Sequence, residues 1–540
     1  MFGRLRRVAG ALAGAALLVL STEVAPRATA GPVPMSPNLL VNPGAELGDP
    51  SLSGYSSVSI PGWTPTGTPT VIKYGTLVRL PWPLGSPGPT LPKFLAFPAA
   101  KNGPPDGGAQ YFGGGNVATS TLTQIVDLSG AGMAIDTGTV PYALSGWLGG
   151  NRLEPSEASV TVDFLAADQT QLGTGKIGPV SILQRDFRTV LLERQTTGTI
   201  PAHTRSARVV VTFKDCHPAG GAYNHSYADN LSFTVGAPLP APPSPPPPPV
   251  SKVGALDHVF MVYMENHGAK DIVGSPNAPY INSLINSYGY GSNYFALTHP
   301  SSPNYFPILG GSDFGVNYDC PINCFDAPNL ADSLEAANKT WAGYEQSMPT
   351  PCATASSGPY SPGELPFLAF RDIVSNTARC QAHVLPLAQM ATDLASASTT
   401  PNFVWFAADE AHNMEGPINL RFVGSELTFH QYNIKAGDQF LQQVVPTILN
   451  SPAFQTQRSA LFITWDEDYN NLSLTIGNQG NNVSMIVIPS PNSGMRPGHF
   501  VAVNYNNHYS LLRTIEESLQ LPSRLTNNDR FAQPMNEYWP

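Results

Sequence analysis

Apolar and polar residues alternate along the first half of the chain, in short runs separated by Gly, Pro and Ser. Clear examples are residues 158–165, 207–213 and 231–235, where every second side chain is apolar. This period of two predicts half-buried strands, and the frequent turns predict an antiparallel β-sandwich over residues 31–236. No segment of this region shows a helical period of useful length.

The pattern changes after a proline-rich stretch at residues 237–252, which predicts an extended polyproline II spacer between two domains. Beyond it, continuous apolar runs alternate with amphipathic segments, as is typical of a mostly parallel sheet covered by helices. The sequence therefore predicts a multidomain chain whose α/β domain covers residues 253–540. The predicted strands are 257–264, 402–407, 460–465 and 483–489, and the predicted helices are 279–287, 330–337, 439–449 and 508–519.

Residues 1–30 have the layout of a secretory signal, with three arginines, an apolar run at 8–20 and a small-residue site at 28–30. The apolar run is too short for a comfortable membrane span, and no later segment reaches about 18 apolar residues. We therefore expect a secreted protein without a membrane span. A net charge of −10 and the lack of a basic patch argue against nucleic-acid binding.

Five cysteines are present, and an exported chain favours disulfides over a zinc site because no CxxC pair occurs. Cys320 and Cys324 are close enough to close a small loop, which leaves Cys352 to pair with Cys380. Cys216 is left over, either buried or free.

Polar groups able to bind a metal follow several predicted strands. If these strands are parallel neighbours, the groups meet at one sheet edge, where their mutual repulsion would require a cation. Taken singly, each acidic cluster is explained as well by capping a helix or solvating a turn. The groups are Glu265-Asn266, then Asp409-Glu410 with His412 and Glu415, and finally Asp466-Glu467-Asp468.

The segment Thr298–Tyr305 places Ser301 and His299 between prolines that fix the backbone. A hydroxyl is a poor nucleophile until a base or a metal lowers its proton affinity. Ser301 is therefore a candidate nucleophile only if the acidic clusters lie beside it. An isolated Ser beside Pro is an ordinary turn residue. A Ser-His-Asp hydrolase is disfavoured because no Gly-x-Ser-x-Gly elbow follows a strand.

Residues 255–521 resemble secreted bacterial and fungal acid phosphatases of the phosphoesterase family, within the alkaline phosphatase superfamily, to which phospholipase C enzymes are related. The blocks that carry the resemblance are Met264-Glu265-Asn266, residues 278–284, Thr298–Tyr305, residues 327–332 and 378–380, residues 462–467 and residues 507–516.

The resemblance implies a role for several positions. Ser301 matches a nucleophile that forms a phosphoserine, and Asn304 matches a donor to a phosphate oxygen. His508 matches a histidine near metal or phosphate, and we add His299 as a further catalytic candidate. The metal candidates are Glu265, Asn266, Asp466 and Glu467 from the resemblance, and Asp409 and Glu415 from their place after a strand.

The chain departs from the family pattern at two places. Asn413-Met414-Glu415 stands where many relatives have Asp-Met-His, and Asn482 stands where many have a histidine. Oxygen ligands dominate what remains, which favours Mg²⁺, Mn²⁺ or Ca²⁺ over a zinc pair.

The first region resembles secreted jelly-roll carbohydrate-binding modules, through a first strand like Asn38–Glu46, then Gly62-Trp63, and a last strand after Asp229-Asn230. The resemblance implies a glycan ligand and a structural Ca²⁺ near Glu46 and Asp229. A sandwich that serves only as a spacer is an equal alternative.

We predict a secreted, metal-dependent phosphomonoesterase of phosphate esters that acts through a phosphoserine. The alternatives are a phosphodiesterase of phospholipase C type, and a carbohydrate-binding surface protein whose phosphatase-like domain is degenerate.

Overall fold

The computed structural model describes residues 34–77, 90, 97–216, 223–415, 418–423, 426–431, 433–468 and 481–540. The predicted secretory signal at 1–30 lies outside these residues. Within the described ranges, no helix is both long enough and apolar enough to cross a membrane.

The first region is a β-sandwich of two antiparallel five-stranded sheets, with strand orders β1-β4-β9-β6-β7 and β2-β3-β10-β5-β8. Alternate side chains of β6 and β9 are buried, as their period of two predicts. The strands are β1 (Thr64–Thr66), β2 (Thr70–Lys73), β3 (Gln110–Gly115), β4 (Thr119–Asp127), β5 (Pro141–Gly150), β6 (Glu157–Leu165), β7 (Gln171–Ile177), β8 (Val190–Thr199), β9 (Ser206–Lys214) and β10 (Asn224–Val235).

One prediction for this region is wrong. Residues 38–46 form no strand, and residues 41–45 within them form turns and bends. Asn42 and Ala45 have φ values of 49° and 62°, a left-handed conformation that interrupts extended backbone. Asp229-Asn230 lies inside β10, at an irregularity in its pairing with β5, rather than just before a strand.

The second region is built on an eight-stranded sheet of order β15-β14-β16-β11-β19-β20-β12-β21. The five strands from β15 to β19 in this order are mutually parallel, and β20 runs antiparallel to both of its neighbours. The fold is thus the predicted α/β type with a mostly parallel sheet. Its strands are β11 (His258–Met264), β12 (Gly289–Gly291), β14 (Trp341–Glu345), β15 (Val384–Pro386), β16 (Phe403–Ala407), β19 (Ser459–Trp465), β20 (Met485–Pro489) and β21 (Phe500–Ala502).

Two small pairs complete the strands: β13 (Tyr294–Phe295) with β22 (Asn506–Asn507), and β17 (Ile418–Val423) with β18 (Glu426–Gln431). The helices are α1 (Gly132–Ile135), α2 (Ala269–Ile272), α3 (Pro279–Ile285), α4 (Ser302–Gly310), α5 (Leu330–Ala336), α6 (Arg371–Val374), α7 (Thr377–His383), α8 (Met390–Asp393), α9 (Ile434–Leu449), α10 (Pro452–Thr456), α11 (His508–Ser518) and α12 (Asn527–Phe531).

The four predicted helices correspond to α3, α5, α9 and α11, with ends that differ by a few residues. Helix α4 is not among the predicted elements, because its two prolines favour a turn. Pro303 is tolerated because it lies in the first turn, where the missing N–H would have no intrahelical partner.

The predicted spacer does not hold the two regions apart. At its end, Arg513 donates to the carbonyl of Pro249 at 2.7 Å, and Asn536 donates to that of Val250 at 2.9 Å. The sandwich and the α/β region also contact each other directly, as Ser59 N donates to Asn528 Oδ1 at 3.2 Å.

Both predicted disulfides are present, Cys320–Cys324 and Cys352–Cys380. Cys216 is a partly buried free thiol.

Candidate active site

The ends of two neighbouring parallel strands create the site. In the register of β11 and β19, Met264 is opposite Trp465, so the residues that follow both strands leave the sheet side by side. The backbone N–H of Asn266 donates to Asp466 Oδ1 at 2.6 Å. Asn266 adopts a left-handed φ of 55°, which asparagine tolerates better than most residues. The sheet topology therefore brings Glu265-Asn266 and Asp466-Glu467 together, as ligands at adjacent strand ends require.

Ser301 precedes α4 and points its hydroxyl into this group. Its Oγ lies 3.1 Å from Glu265 Oε2, 3.3 Å from Asn266 Oδ1 and 3.3 Å from Glu467 Oε1. A hydroxyl carries one proton, so it satisfies only one of these acceptors at a time. Ser301 is partly exposed, whereas the carboxylates around it are buried.

The buried carboxyl groups hold their protons strongly. Burial, followed by the charges of Asp466 and Glu364, raises the pKa of Glu265 well above its ordinary value. Burial and Glu467 raise the pKa of Asp466 in the same way. Like charges in a desolvated pocket favour either proton binding or a cation.

His299 lies against Glu467, with its Nδ1 in contact with one carboxylate oxygen. Burial lowers the pKa of His299 to about 4 and raises the pKa of Glu467 well above its ordinary range. Both shifts favour a neutral pair that shares one proton. The structure thus places His299 where it orients Glu467, the carboxyl group next to Ser301.

Asn304 organises the turn before Ser301. Its Oδ1 accepts from the N–H groups of Leu297 and Thr298 at 2.9 and 3.1 Å. Its Nδ2 donates to the carbonyls of Thr298 and Pro300 at 2.9 and 3.2 Å. Because backbone groups engage both ends of the amide, the structure does not direct Asn304 toward the hydroxyl of Ser301. Its predicted contact with phosphate stays a prediction.

His508, at the start of α11, supports the site from behind. Burial lowers its pKa to about 4, so the ring is neutral at pH 7. Its Nε2 lies 3.0 Å from the backbone oxygen of Asp466, and its Nδ1 lies 2.9 Å from the hydroxyl of Tyr294. With Nε2 protonated, the ring donates to that oxygen and accepts from Tyr294, which fixes the start of the Asp466 loop.

Asp409 lies apart from the Ser301 cluster. Its Oδ1 contacts His412 Nδ1 at 2.7 Å, and its Oδ2 accepts from Ser347 at 2.6 Å. Asp409 follows β16, the neighbour of β11, but its side chain contacts His412 in its own loop and Ser347 in the loop after β14. We therefore do not group it with the carboxylates around Ser301.

The two positions that depart from the family pattern differ in their surroundings. Asn413 borders the site, because its carbonyl accepts from Glu265 N at 2.9 Å and its Nδ2 lies 3.4 Å from Glu364 Oε1. The charge of Glu415 raises the pKa values of Glu265 and Glu364, which places its carboxylate nearby. Asn482 instead donates to backbone carbonyls at Ser292 and Tyr294, at 3.2 and 3.0 Å.

Sequence analysis missed Tyr305 and Glu364. The hydroxyl of Tyr305 donates to Glu265 and lies 3.2 Å from Glu364 Oε2. Glu364 is buried and lies on a short 3₁₀ turn. It does not follow a strand in the sequence, so the strand pattern does not predict it as a site residue. Tyr305 carries a weak signal, since it lies one helical turn after Ser301 within the same motif.

The chemistry of this group fits an oxygen-binding cation. Among the residues that the structure describes, Asp466 Oδ2 is buried without a hydrogen-bond partner, and the surrounding ligand atoms are carboxylate, amide and hydroxyl oxygens, which suit Mg²⁺, Mn²⁺ or Ca²⁺. In the part of the chain that the structure describes, no three His, Cys, Asp or Glu side chains already converge on one metal position. The carboxyl groups are instead linked through Ser301, Tyr305 and His299.

The sandwich has an acidic group of its own near Glu46 and Asp229. Asp229 is buried and accepts from Tyr74 at 2.7 Å, and Glu46 Oε1 accepts from Ala109 N and Gln110 N at 2.9 Å each. Burial raises the pKa of Asp229 to about 7, and the charges of Glu46 and Asp106 act in the same direction.

Comparison with known proteins points to phosphoric ester hydrolysis. Residues 271–522 match the profile of the Phosphoesterase family. A phosphatidylinositol-3-phosphatase of Mycobacterium tuberculosis is 28% identical over 289 residues, which are 52% of this chain and 82% of that protein. An acid phosphatase of Aspergillus fumigatus is 24% identical over 291 residues, which are 50% of this chain but only 56% of that protein. These relatives support a phosphoric ester hydrolase.

Two solved structures show weaker likeness. A protein of the alkaline phosphatase superfamily from Vibrio parahaemolyticus aligns at 11% identity and a TM-score of 0.34, over 50% of this chain and 67% of that one. A family 22 carbohydrate-binding module of Clostridium thermocellum aligns at 14% identity and a TM-score of 0.21, over 36% of this chain and 96% of that one. Because these TM-scores are low, the fold of each region is assigned from its own strand order and not from these two structures.

Proposed function

Because its second half carries a domain of the phosphoesterase family, we propose that this chain is a metal-dependent phosphomonoesterase that acts through a phosphoserine on Ser301. The observation that carries the proposal is the hydroxyl of Ser301 within 3.3 Å of oxygens from Glu265, Asn266 and Glu467. The two relatives, a phosphatidylinositol-3-phosphatase and an acid phosphatase, are monoesterases by name. They favour a monoester over the diester of a phospholipase C-type enzyme.

In the proposed reaction, Ser301 Oγ attacks phosphorus and loses its proton to a neighbouring carboxylate. Glu265 Oε2, at 3.1 Å, is the nearest acceptor. It acts in its ionised form, which a cation bound beside it would favour over the protonated form of the metal-free pocket. The Oγ–P bond forms, the ester P–O bond breaks, and the leaving alkoxide takes up a proton from solvent, while the carboxyl group keeps the Ser301 proton and returns it to Oγ in the second step. Water then attacks phosphorus, the Oγ–P bond breaks and the hydroxyl is restored. His299 keeps the Glu467 carboxyl group oriented beside Ser301 through both steps.

Glu265, Asn266, Asp466 and Glu467 are the residues that would hold the cation. A divalent cation bound there supplies Lewis-acid stabilisation of negative charge at the reacting phosphate. We propose that it is Mg²⁺, Mn²⁺ or Ca²⁺, because the donor set consists of oxygens.

The purified chain should hydrolyse p-nitrophenyl phosphate at least about 100-fold faster than bis-p-nitrophenyl phosphate, a difference of about 3 kcal/mol in transition-state binding. Treatment with a chelator should remove the activity, and Mg²⁺, Mn²⁺ or Ca²⁺ should restore it better than Zn²⁺. Rates with each ester and each cation are the measurement. Faster cleavage of the diester would move the assignment to a phospholipase C-type enzyme, and no turnover of either ester with any cation would leave a degenerate domain.

We also infer that the chain is exported, which its two disulfides support, and that the sandwich binds a structural Ca²⁺ at Glu46 and Asp229. A glycan ligand for the sandwich remains a prediction.

The Ca²⁺ proposal predicts a pH signature. In the chelated protein the raised pKa of Asp229, about 7, favours the protonated form in the folded state. The protonation of Asp229 contributes fully to the free energy of unfolding below the unfolded-state pKa, near 3.8. This contribution is lost as pH rises through about 7, the pKa in the folded state. The chelated sandwich should therefore melt lower at pH 8 than at pH 5.

Millimolar Ca²⁺ should raise the melting temperature at pH 8 by about 5 °C, as expected for a ligand well above its Kd. Glu46→Gln should remove this rise, whereas Asp168→Asn, an exposed carboxylate elsewhere in the sandwich, should keep it. An equal response of all three proteins to Ca²⁺ would contradict the site.

A further inference from the structure

The sandwich contacts the backbone just before the nucleophile. The carbonyl of Leu297 accepts from the backbone N–H of Ser57 at 3.0 Å and from Asn116 Nδ2 at 3.4 Å. Leu297, Ser57 and Asn116 are all buried, so water does not compete for these bonds. Asn116 is itself fixed, because its Oδ1 accepts from Thr68 at 2.5 Å.

A second contact lies beyond the other end of α4. Asp313 follows this helix, and its Oδ2 accepts a hydrogen bond from Ser56 of the sandwich. Burial raises the pKa of Asp313 above its ordinary value, so this buried carboxyl group depends on the partners it has. Ser56 and Ser57 are adjacent, and one short segment of the sandwich therefore holds both flanks of the helix that begins at the nucleophile.

The catalytic domain holds the same backbone from its other side. The N–H of Leu297 is bound by Asn304 at 2.9 Å, and the carbonyl of Thr298 accepts from Asn481 at 2.8 Å. The two polar backbone groups of Leu297 are thus bound by different halves of the chain. Neither half alone satisfies the turn that leads into Ser301.

We propose that the sandwich is a positioning part of the active site, in which Ser56 and Asn116 set the place of Ser301 by clamping Leu297 and Asp313. The inference rests on the proposed phosphatase function. Misplacement of a reacting group by about 1 Å can cost about 100-fold in rate, so a loosened clamp lowers turnover without removing any group that touches substrate.

The double variant Ser56→Ala/Asn116→Ala of the full chain tests the clamp. We expect kcat for p-nitrophenyl phosphate to fall about 10- to 100-fold, with KM changed less than about threefold. Ser56→Thr, which keeps a hydroxyl donor, should retain most of the activity. The matched control is Ser120→Ala, which removes a buried hydroxyl that donates to Gly114 O within the sandwich and should leave kcat unchanged.

Hydrogen–deuterium exchange provides a readout that does not depend on activity. Amides of residues 302–311 should exchange faster in the double variant than in the parent and in Ser120→Ala, at a temperature where all three are folded. Unchanged exchange together with unchanged kcat would overturn the clamp. Faster exchange in a chain whose parent hydrolyses no phosphate ester would uphold the clamp and reject the proposed function. A rise in KM without a change in kcat would also contradict the clamp, because such a result indicates an effect on substrate binding and not on the placement of Ser301.

Discussion

Ser301→Ala should reduce kcat for p-nitrophenyl phosphate by about 10⁴-fold or more, since loss of a nucleophile removes the covalent route entirely. The variant loses the hydroxyl that lies within 3.3 Å of Glu265, Asn266 and Glu467 together, and binding of substrate should be little affected. Rapid quenching of the parent enzyme with substrate should trap a phosphoryl group on the peptide that contains residue 301. Steady-state rates and mass spectrometry of that peptide are the measurements.

Ser302→Ala is the natural control for this experiment. Ser302 is the next residue in the chain, but its Oγ accepts from the N–H of Cys320 at 3.1 Å, and its side chain binds Asp319 rather than Glu265. Its removal should change kcat less than about threefold, because the attacking hydroxyl of Ser301 and its contacts with Glu265, Asn266 and Glu467 stay in place. Full activity in Ser301→Ala, or a phosphoryl group on residue 302, would refute the assignment of the nucleophile.

Asp466→Asn should lower activity while it stabilises the metal-free protein. Asp466 must either ionise beside Glu467 or hold a proton, because burial and its neighbour raise its pKa. Asparagine keeps an oxygen for the N–H of Asn266 and removes the charge. We expect kcat/KM to fall about 10²- to 10³-fold, in the range for loss of one electrostatic contact to the transition state. The chelated protein should gain about 1–2 kcal/mol in free energy of unfolding.

Asp438→Asn is the control that distinguishes the effect of losing Asp466 from the general effect of replacing a buried aspartate. Asp438 is buried, and its carboxylate accepts from the N–H groups of Tyr280 and Ile281 at the start of α3 instead of contacting Ser301. Its replacement should lower stability by about 1 kcal/mol and leave kcat unchanged. Enzyme assays and denaturant unfolding in chelator test both variants. A fall in both activity and stability for Asp466→Asn would show that Asp466 serves the fold rather than the reaction.

Part of this site could be predicted because parallel strands obey a simple rule. A continuous apolar run ends at Met264 and another ends at Trp465, and neighbouring parallel strands deliver the residues after their ends to one edge of the sheet. The same rule points to Asp409, but it cannot say which way a side chain turns once the chain has left the sheet. Asp409 turns to Ser347 and His412.

Other parts of the site depend on tertiary packing that has no periodic signal. Glu364 reaches Tyr305 from a short turn that does not directly follow a strand in the sequence. Helix α4 is hidden in the sequence because its prolines resemble those of a loop. The contact of Asn116 with Leu297 joins residues 181 positions apart in the sequence, so only the packing of the two regions reveals it.

The Cys352–Cys380 disulfide closes a loop that contains Glu364. Glu364 contacts Tyr305, whose hydroxyl also binds Glu265 beside Ser301. Closing a loop of this size typically contributes roughly 3–4 kcal/mol to the free energy of folding. In the reduced chain the segment that carries Glu364 is therefore less stable. For a chain that is exported, assembly of the site is then coupled to the passage from a reducing to an oxidising compartment. If the chain is exported as proposed, the oxidising compartment would complete this part of the site at a place separated from the phosphate esters inside the cell.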